Sequence, residues 1–137
     1  MQSTIQRNIE FVGNIHTEVL HAAGTNINGL TTVVVIPGNP GIADYYRGFV
    51  GSLHKSLEFK NDILVCGFAG HTVSGNLNKS RVFTLEQQIS HKIAFLDQLL
   101  QRKPHTRFVL LAHSIGSFIC LQVLLSMSEI GSHEVRC

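Results

Sequence analysis

A serine stands where a run of apolar residues gives way to a helix pattern, in Phe108-Val-Leu-Leu-Ala-His-Ser-Ile-Gly-Ser117. A hydroxyl is a useful nucleophile only when the backbone holds it clear of the fold, near a base and facing donors that can take up negative charge. A strand that reverses sharply into a helix meets the first condition, because the turn lifts the side chain at the carboxyl edge of the sheet on a strained backbone. The residues two before and two after the serine must be small, so that strand and helix can approach. Ala112 and Gly116 fill those places, where the usual pattern is G-x-S-x-G, so Ala112 adds one methyl. Ser114 is therefore the candidate nucleophile. The N–H of Ile115, in the first helical turn where donors are unpaired and the dipole is positive, is a candidate oxyanion donor. A Ser-x-Gly after a strand also serves simply as a helix cap. The strand-turn-helix setting favours the nucleophile.

The second half of an oxyanion hole is expected from the loop after an earlier strand. Pro37-Gly38-Asn39-Pro40-Gly41 occupies that place, directly after the β-branched run Thr31 to Ile36. Gly38 lets backbone come close to a substrate oxygen, and the Asn39 N–H is the candidate donor. Pro40 has no N–H and cannot serve. Taken alone, this segment reads equally well as a proline-glycine turn; two loops in the right order strengthen each other. His71 follows another apolar run and is a candidate pocket-wall residue, or simply a loop residue.

The elements that must position these residues are legible as a series. Asn8 to Val12 and Ile15 to His21 read as strands joined by Gly13-Asn14, a dipeptide suited to a tight hairpin. Thr31 to Ile36, Asp62 to Gly67 and Arg107 to Ala112 read as strands buried on both faces. Between them, Tyr46, Phe49, Val50, Leu53 and Leu57 recur at helical spacing. Thr84 suits the cap of a helix with Leu85, Ile89, Ile93, Leu96 and Leu100 on one face, and Gly116 to Met127 reads as a final helix. Residues 72–83 read as loop. A hairpin followed by β-α-β-α-β-α predicts a mostly parallel, doubly wound α/β sheet.

Composition narrows the function. The chain has 137 residues, 44% of them hydrophobic and 15% charged, as expected of one folded domain. A formal net charge of +2, scattered along the chain, argues against nucleic acid as a partner. No apolar run approaches the ~20 residues of a membrane span, so no transmembrane segment is expected. Cys66, Cys120 and Cys137 are widely spaced and give neither a disulfide framework nor a metal site, and no motif calls for a cofactor. They read as reduced thiols of a cytoplasmic protein.

Together, Val33 to Gly41 (Val-Val-Val-Ile-Pro-Gly-Asn-Pro-Gly), the region around Tyr46, and Ala69-Gly70-His71 resemble the lipid-droplet-associated hydrolases of the α/β-hydrolase superfamily. The resemblance continues through the helix Gln88 to Leu96 (Gln-Ile-x-His-Lys-Ile-Ala-Phe-Leu) and His113-Ser114-Ile115-Gly116-Ser117, and spans about Thr31 to Leu125. It implies a serine-type carboxylic ester hydrolase acting on stored lipid esters, sterol or acylglycerol esters, at the surface of lipid droplets and endoplasmic reticulum. By this resemblance Ser114 is the nucleophile, with Asn39 and Ile115 as oxyanion donors. The family pattern has glycine where this chain has Ala112.

In α/β-hydrolases the triad runs in chain order serine, acid, histidine. Only 23 residues follow Ser114, and Glu129, His133 and Glu134 are the only titratable ones suited to acid or base among them. A helix rising ~1.5 Å per residue carries His133 more than about 20 Å away, whereas a base must come within ~3 Å. His113 points away from its neighbour in such a turn, and Asp44 and Asp97 precede the elbow. The chain thus reads as the amino-terminal half of one α/β-hydrolase domain, with an irregular stretch over residues 129–137. The strand Arg107 to Ala112 is then expected to leave an open, aggregation-prone edge. Two functions compete: the ester hydrolase, and a non-catalytic lipid-droplet or interaction protein retaining the scaffold. An acyltransferase or thioesterase would use the same elbow.

Overall fold

A computed structural model describes residues 2–26, 28, 29, 31–72, 82–130, 135 and 136. Strand β1 (Ile5–Val12) and strand β2 (Ile15–Ala22) form the expected hairpin, with Gly13 and Asn14 both at positive φ (54° and 63°). That pair of left-handed residues matches the twist of the two strands. Next come β3 (Thr31–Ile36), a short 3₁₀ turn (Ala43–Tyr46), α1 (Arg47–Ser56) and β4 (Asp62–Cys66). They are followed by α2 (Leu85–Arg102), β5 (Arg107–Ala112), α3 (Ile115–Ile130) and β6 (Val135–Arg136). The sheet order is β1-β2-β4-β3-β5-β6, antiparallel at the hairpin end and parallel from β4 through β6.

β3 lies between β4 and β5 and alternates its valines between two cores. Val34 and Ile36 pack with Phe95, Leu96, Leu99, Phe108, Ile119 and Val123 beneath α2 and α3. Val33 and Val35 pack with Leu20, Val50, Ile63 and Val65 beneath α1. A period of two, apolar at every step, is what burial on both faces requires. Central β3 and its neighbour β5 therefore end together, Ile36 opposite Ala112, and the two candidate loops leave the sheet side by side.

Helix α2 begins where Thr84 predicts. Its Oγ1 accepts the N–H of Gln87 (3.2 Å) while Gln87 Oε1 accepts the N–H of Thr84 (2.8 Å), a reciprocal capping box. Thr84→Ala is expected to lower unfolding free energy by about 1 kcal/mol, read by urea denaturation. The buried face of α2 differs from the expected one. Leu85 is exposed and Ile89, Ile93 and Leu100 only half-buried, while Gln88, His91 and Lys92 join Phe95, Leu96 and Leu99 inside. The helix is turned so that polar side chains meet backbone groups at the end of β4.

The end of the chain also departs from expectation. Instead of an irregular stretch from residue 129, α3 runs through Ile130, and Val135–Arg136 pair in parallel with Phe108 and Val109 of β5. Part of the edge expected to be open is thus covered, because unpaired N–H and C=O groups on β5 recruit the following backbone. No described helix is long and apolar enough to cross a membrane.

Candidate active site

Ser114 has φ +55°, a left-handed backbone that a residue with a Cβ adopts only under constraint, and its side chain is exposed. The constraint comes from close packing with the end of β3. His113 N–H donates to Ile36 O (3.2 Å), and a Cβ on Gly116 would lie 2.5 Å from both Ile36 O and Pro37 O. From the other side, a Cβ on Gly38 would lie 2.8 Å from His113 O and 2.9 Å from Ser114 Cβ. Two glycines, one in the loop after β3 and one in the first turn of α3, thus let the backbones interlock. Ala112 tolerates its extra methyl because the side chain packs against the core beneath α2 and α3.

The loop holding Asn39 closes on itself through Gly41 N–H to Gly38 O (2.7 Å), and its Asn39–Pro40 peptide is cis. Asn39 is exposed and its N–H makes no backbone hydrogen bond among the described residues. Ile115 is the first residue of α3, so its N–H has no preceding turn to bind it. The candidate donors therefore lie in the loop after β3 and at the start of α3, the two segments that Gly38 and Gly116 bring together. His71, the candidate pocket-wall residue, has its Nδ1 bound to Pro40 O and its ring against Phe68, so it braces the Asn39 loop.

Tyr46 joins the candidate site in a way that helical spacing concealed. It ends the 3₁₀ turn rather than lining α1, and its hydroxyl accepts the Gly38 N–H (2.8 Å) while lying 3.0 Å from His113 Nδ1. With a lone pair so occupied, the phenolic proton is available to His113, whose ring meets Tyr46 edge-on. One side chain ties both loops. The 3₁₀ turn is itself held by Glu18, fully buried on β2, whose carboxylate accepts the Asp44 N–H (3.2 Å) and lies 3.5 Å from Arg7. Tyr46→Phe leaves the buried Gly38 N–H without its acceptor, and is expected to lower unfolding free energy by about 1–2 kcal/mol in chemical denaturation.

Beside the turn from β5 into α3, a cleft of about 490 Å³ is lined by Val35, Tyr45, Tyr46, Phe49, Leu111, Ala112 and His113. Phe49 and Tyr45 stand half-exposed or more on its rim. Among the described residues no hydrogen bond joins Ser114 to a histidine or carboxylate. Asp44 is paired with Arg47 (2.8 Å), Asp97 is on the exposed side of α2, and Glu129 is in the last turn of α3. His133 and Glu134 lie outside the described residues.

A family model described as lipid-droplet associated hydrolase matches residues 30–135. Proteins named lipid droplet-associated hydrolase are similar along most of the chain. The one from Dictyostelium discoideum is 36% identical over 123 residues, covering 85% of this chain and 39% of that protein. Those from Gallus gallus and Homo sapiens are 34% and 31% identical, covering 71% and 72% of this chain and 32% and 34% of theirs. The chain spans 32–39% of the length of these relatives. Among solved structures, a putative hydrolase from Agrobacterium vitis superposes with TM-score 0.70 at 18% identity, covering 96% of this chain and 48% of that one. An α/β serine hydrolase homologue from Coxiella burnetii gives TM-score 0.64 at 16% identity, covering 88% and 57%. At such identities the likeness shows the fold, which is that of α/β-hydrolases.

Proposed function

The chain belongs to the lipid-droplet-associated hydrolase family, and from that premise we propose that Ser114 is the nucleophile of a carboxylic ester hydrolase acting on stored lipid esters. The left-handed backbone of Ser114, at the point where Gly38 and Gly116 interlock, supports this reading most directly. Ser114 Oγ attacks the ester carbonyl carbon and gives up its proton. The negative charge gathers on the carbonyl oxygen, facing the N–H groups of Asn39 and Ile115. Collapse of this intermediate breaks the ester C–O bond, the alcohol leaves with a proton, and water releases the acid from the acyl-serine. The proposed substrates are sterol or acylglycerol esters at the surface of droplets and endoplasmic reticulum; the names of the relatives support the droplet surface, and the ester class and the reticulum rest on the sequence resemblance alone.

A general base must take the Ser114 proton, and the described residues bring none to it. That observation favours a second reading, a non-catalytic protein that keeps the scaffold at a lipid surface. A fluorophosphonate probe separates the two, because it phosphonylates an activated serine and leaves an ordinary surface hydroxyl alone. The hydrolase reading expects an adduct on the peptide containing Ser114. Failure to label a longer form of the chain that carries a downstream acid and histidine would overturn it.

A further inference from the structure

Gln88, His91 and Lys92 face inward from α2 at positions where a helix on a sheet ordinarily places apolar side chains. Lys92 is fully buried and has no carboxylate partner among the described residues. Its amine, whose pKa burial pushes down, donates to Gly67 O (2.9 Å) and lies 2.8 Å from His91 Nδ1 and 5.1 Å from the centre of the Phe68 ring. The Thr17 hydroxyl donates to Ile15 O (3.0 Å), so the His91 proton is on Nε2, directed to Thr17 Oγ1 (2.7 Å), and Nδ1 accepts from Lys92. Burial, reinforced by the adjacent Lys92, pushes the His91 pKa down to about 3, so the ring is neutral, as this chain of bonds requires.

Gln88 grips the same segment one turn earlier. Its Nε2 donates to Ala69 O (3.1 Å) and its Oε1 accepts the Ala69 N–H (2.8 Å). Backbone 67–69 is thus held at both ends by side chains of α2. Between them, Phe68 N–H donates to Gly41 O (2.8 Å), and two residues on from Ala69 the His71 ring holds Pro40 O. Pro40 and Gly41 are the residues directly after Asn39.

We infer that Gln88 and Lys92 are positioning residues, which fix the Asn39 N–H for the oxyanion through the segment 67–71 and its grip on Pro40 and Gly41. The inference rests on the reading of Ser114 and Asn39 above. It also assigns a task to the Gln-Ile-x-His-Lys stretch, which packing alone does not demand. A buried amine without a counter-charge is costly to desolvate, and an apolar group of similar length would fill its space more cheaply.

Two variants of the 137-residue chain, Gln88→Leu and Lys92→Met, test this by amide hydrogen exchange, thermal unfolding and fluorophosphonate labelling rate. In both, exchange at the Phe68 amide is expected to speed up about tenfold or more, with the β3 amides of Val34 and Val35 unchanged. Labelling at Ser114 is expected to slow about tenfold, while Lys92→Met unfolds at the same temperature or higher. Unchanged Phe68 exchange in both variants overturns the inference. So does faster Phe68 exchange with an unchanged labelling rate, or a general loss of protection with a lowered midpoint. If neither the unaltered chain nor a longer form carrying a downstream acid and histidine takes label while Phe68 exchange responds as expected, the grip on the loop stands and it is the nucleophile reading that falls.

Discussion

Alanine in place of Ser114 is expected to abolish fluorophosphonate labelling, and glycine is expected to do the same while making the chain more stable by up to about 1 kcal/mol. Both remove the only atom proposed to attack, so no slow residual adduct should remain on this peptide. They differ in what they do to the backbone. Ser114 holds φ at +55°, where the Cβ of any L-residue crowds the neighbouring carbonyl. Alanine keeps that Cβ and so leaves stability close to that of the parent. Glycine relieves the crowding, and the gain is reduced by the greater freedom glycine has in the unfolded chain. Labelling read by peptide mass spectrometry and urea denaturation check the two halves separately. An adduct that survives Ser114→Ala would assign the reactivity elsewhere. A glycine variant less stable than the alanine variant would remove the strain on which the elbow depends.

The second large effect falls on stability. Gly116→Ala is expected to lower unfolding free energy by about 3 kcal/mol or more, although Gly116 is helical and alanine is the better helix former by about 1 kcal/mol. The added methyl would stand 2.5 Å from two carbonyl oxygens, Ile36 O and Pro37 O, and both belong to backbone that cannot swing aside. Strand β3 would have to part from α3. Gly51→Ala on α1 provides the contrast, since there a Cβ meets only Ile5 Cδ1 at 3.7 Å. That change is expected to stabilise by about 0.5–1 kcal/mol. Urea unfolding of the two variants should therefore shift in opposite directions. A shift of the same sign in both would show that the loops are not interlocked as described.

The hairpin, the alternating strands and helices, and the two loops around the site were all legible, because each rests on a local pattern. Gly13-Asn14 turns the chain, Thr31 to Ile36 can only be a buried strand, and Thr84 caps α2 whatever lies above it. Periodicity failed where burial and polarity part company. Counting apolar residues placed Leu85 inside α2 and Tyr46 on the face of α1. Leu85 is instead exposed, and Tyr46 leaves the helix to join two loops through its hydroxyl. Gln88 and Lys92 escaped for the same reason, since a pattern scores them as surface residues unless the carbonyls they serve are known.

The short strand β6 escaped for another reason. Nothing in the residues from Glu129 onward marks a strand, and Val135–Arg136 take that form because β5 offers them hydrogen-bonding partners. Sequence alone determined the order of the strands and helices from β1 through α3 and the place of Ser114 between β5 and α3, since these follow from residue type and near neighbours along the chain, and the resemblance of its motifs pointed to the α/β-hydrolase lineage. Tertiary structure decided which polar groups go inside and which glycines interlock. It alone showed that the residues flanking Asn39 are held at three points, Gly38 by Tyr46, Pro40 by His71 and Gly41 by Phe68. Those outcomes depend on where backbone donors and acceptors from distant strands arrive, and spacing along one chain does not carry that information.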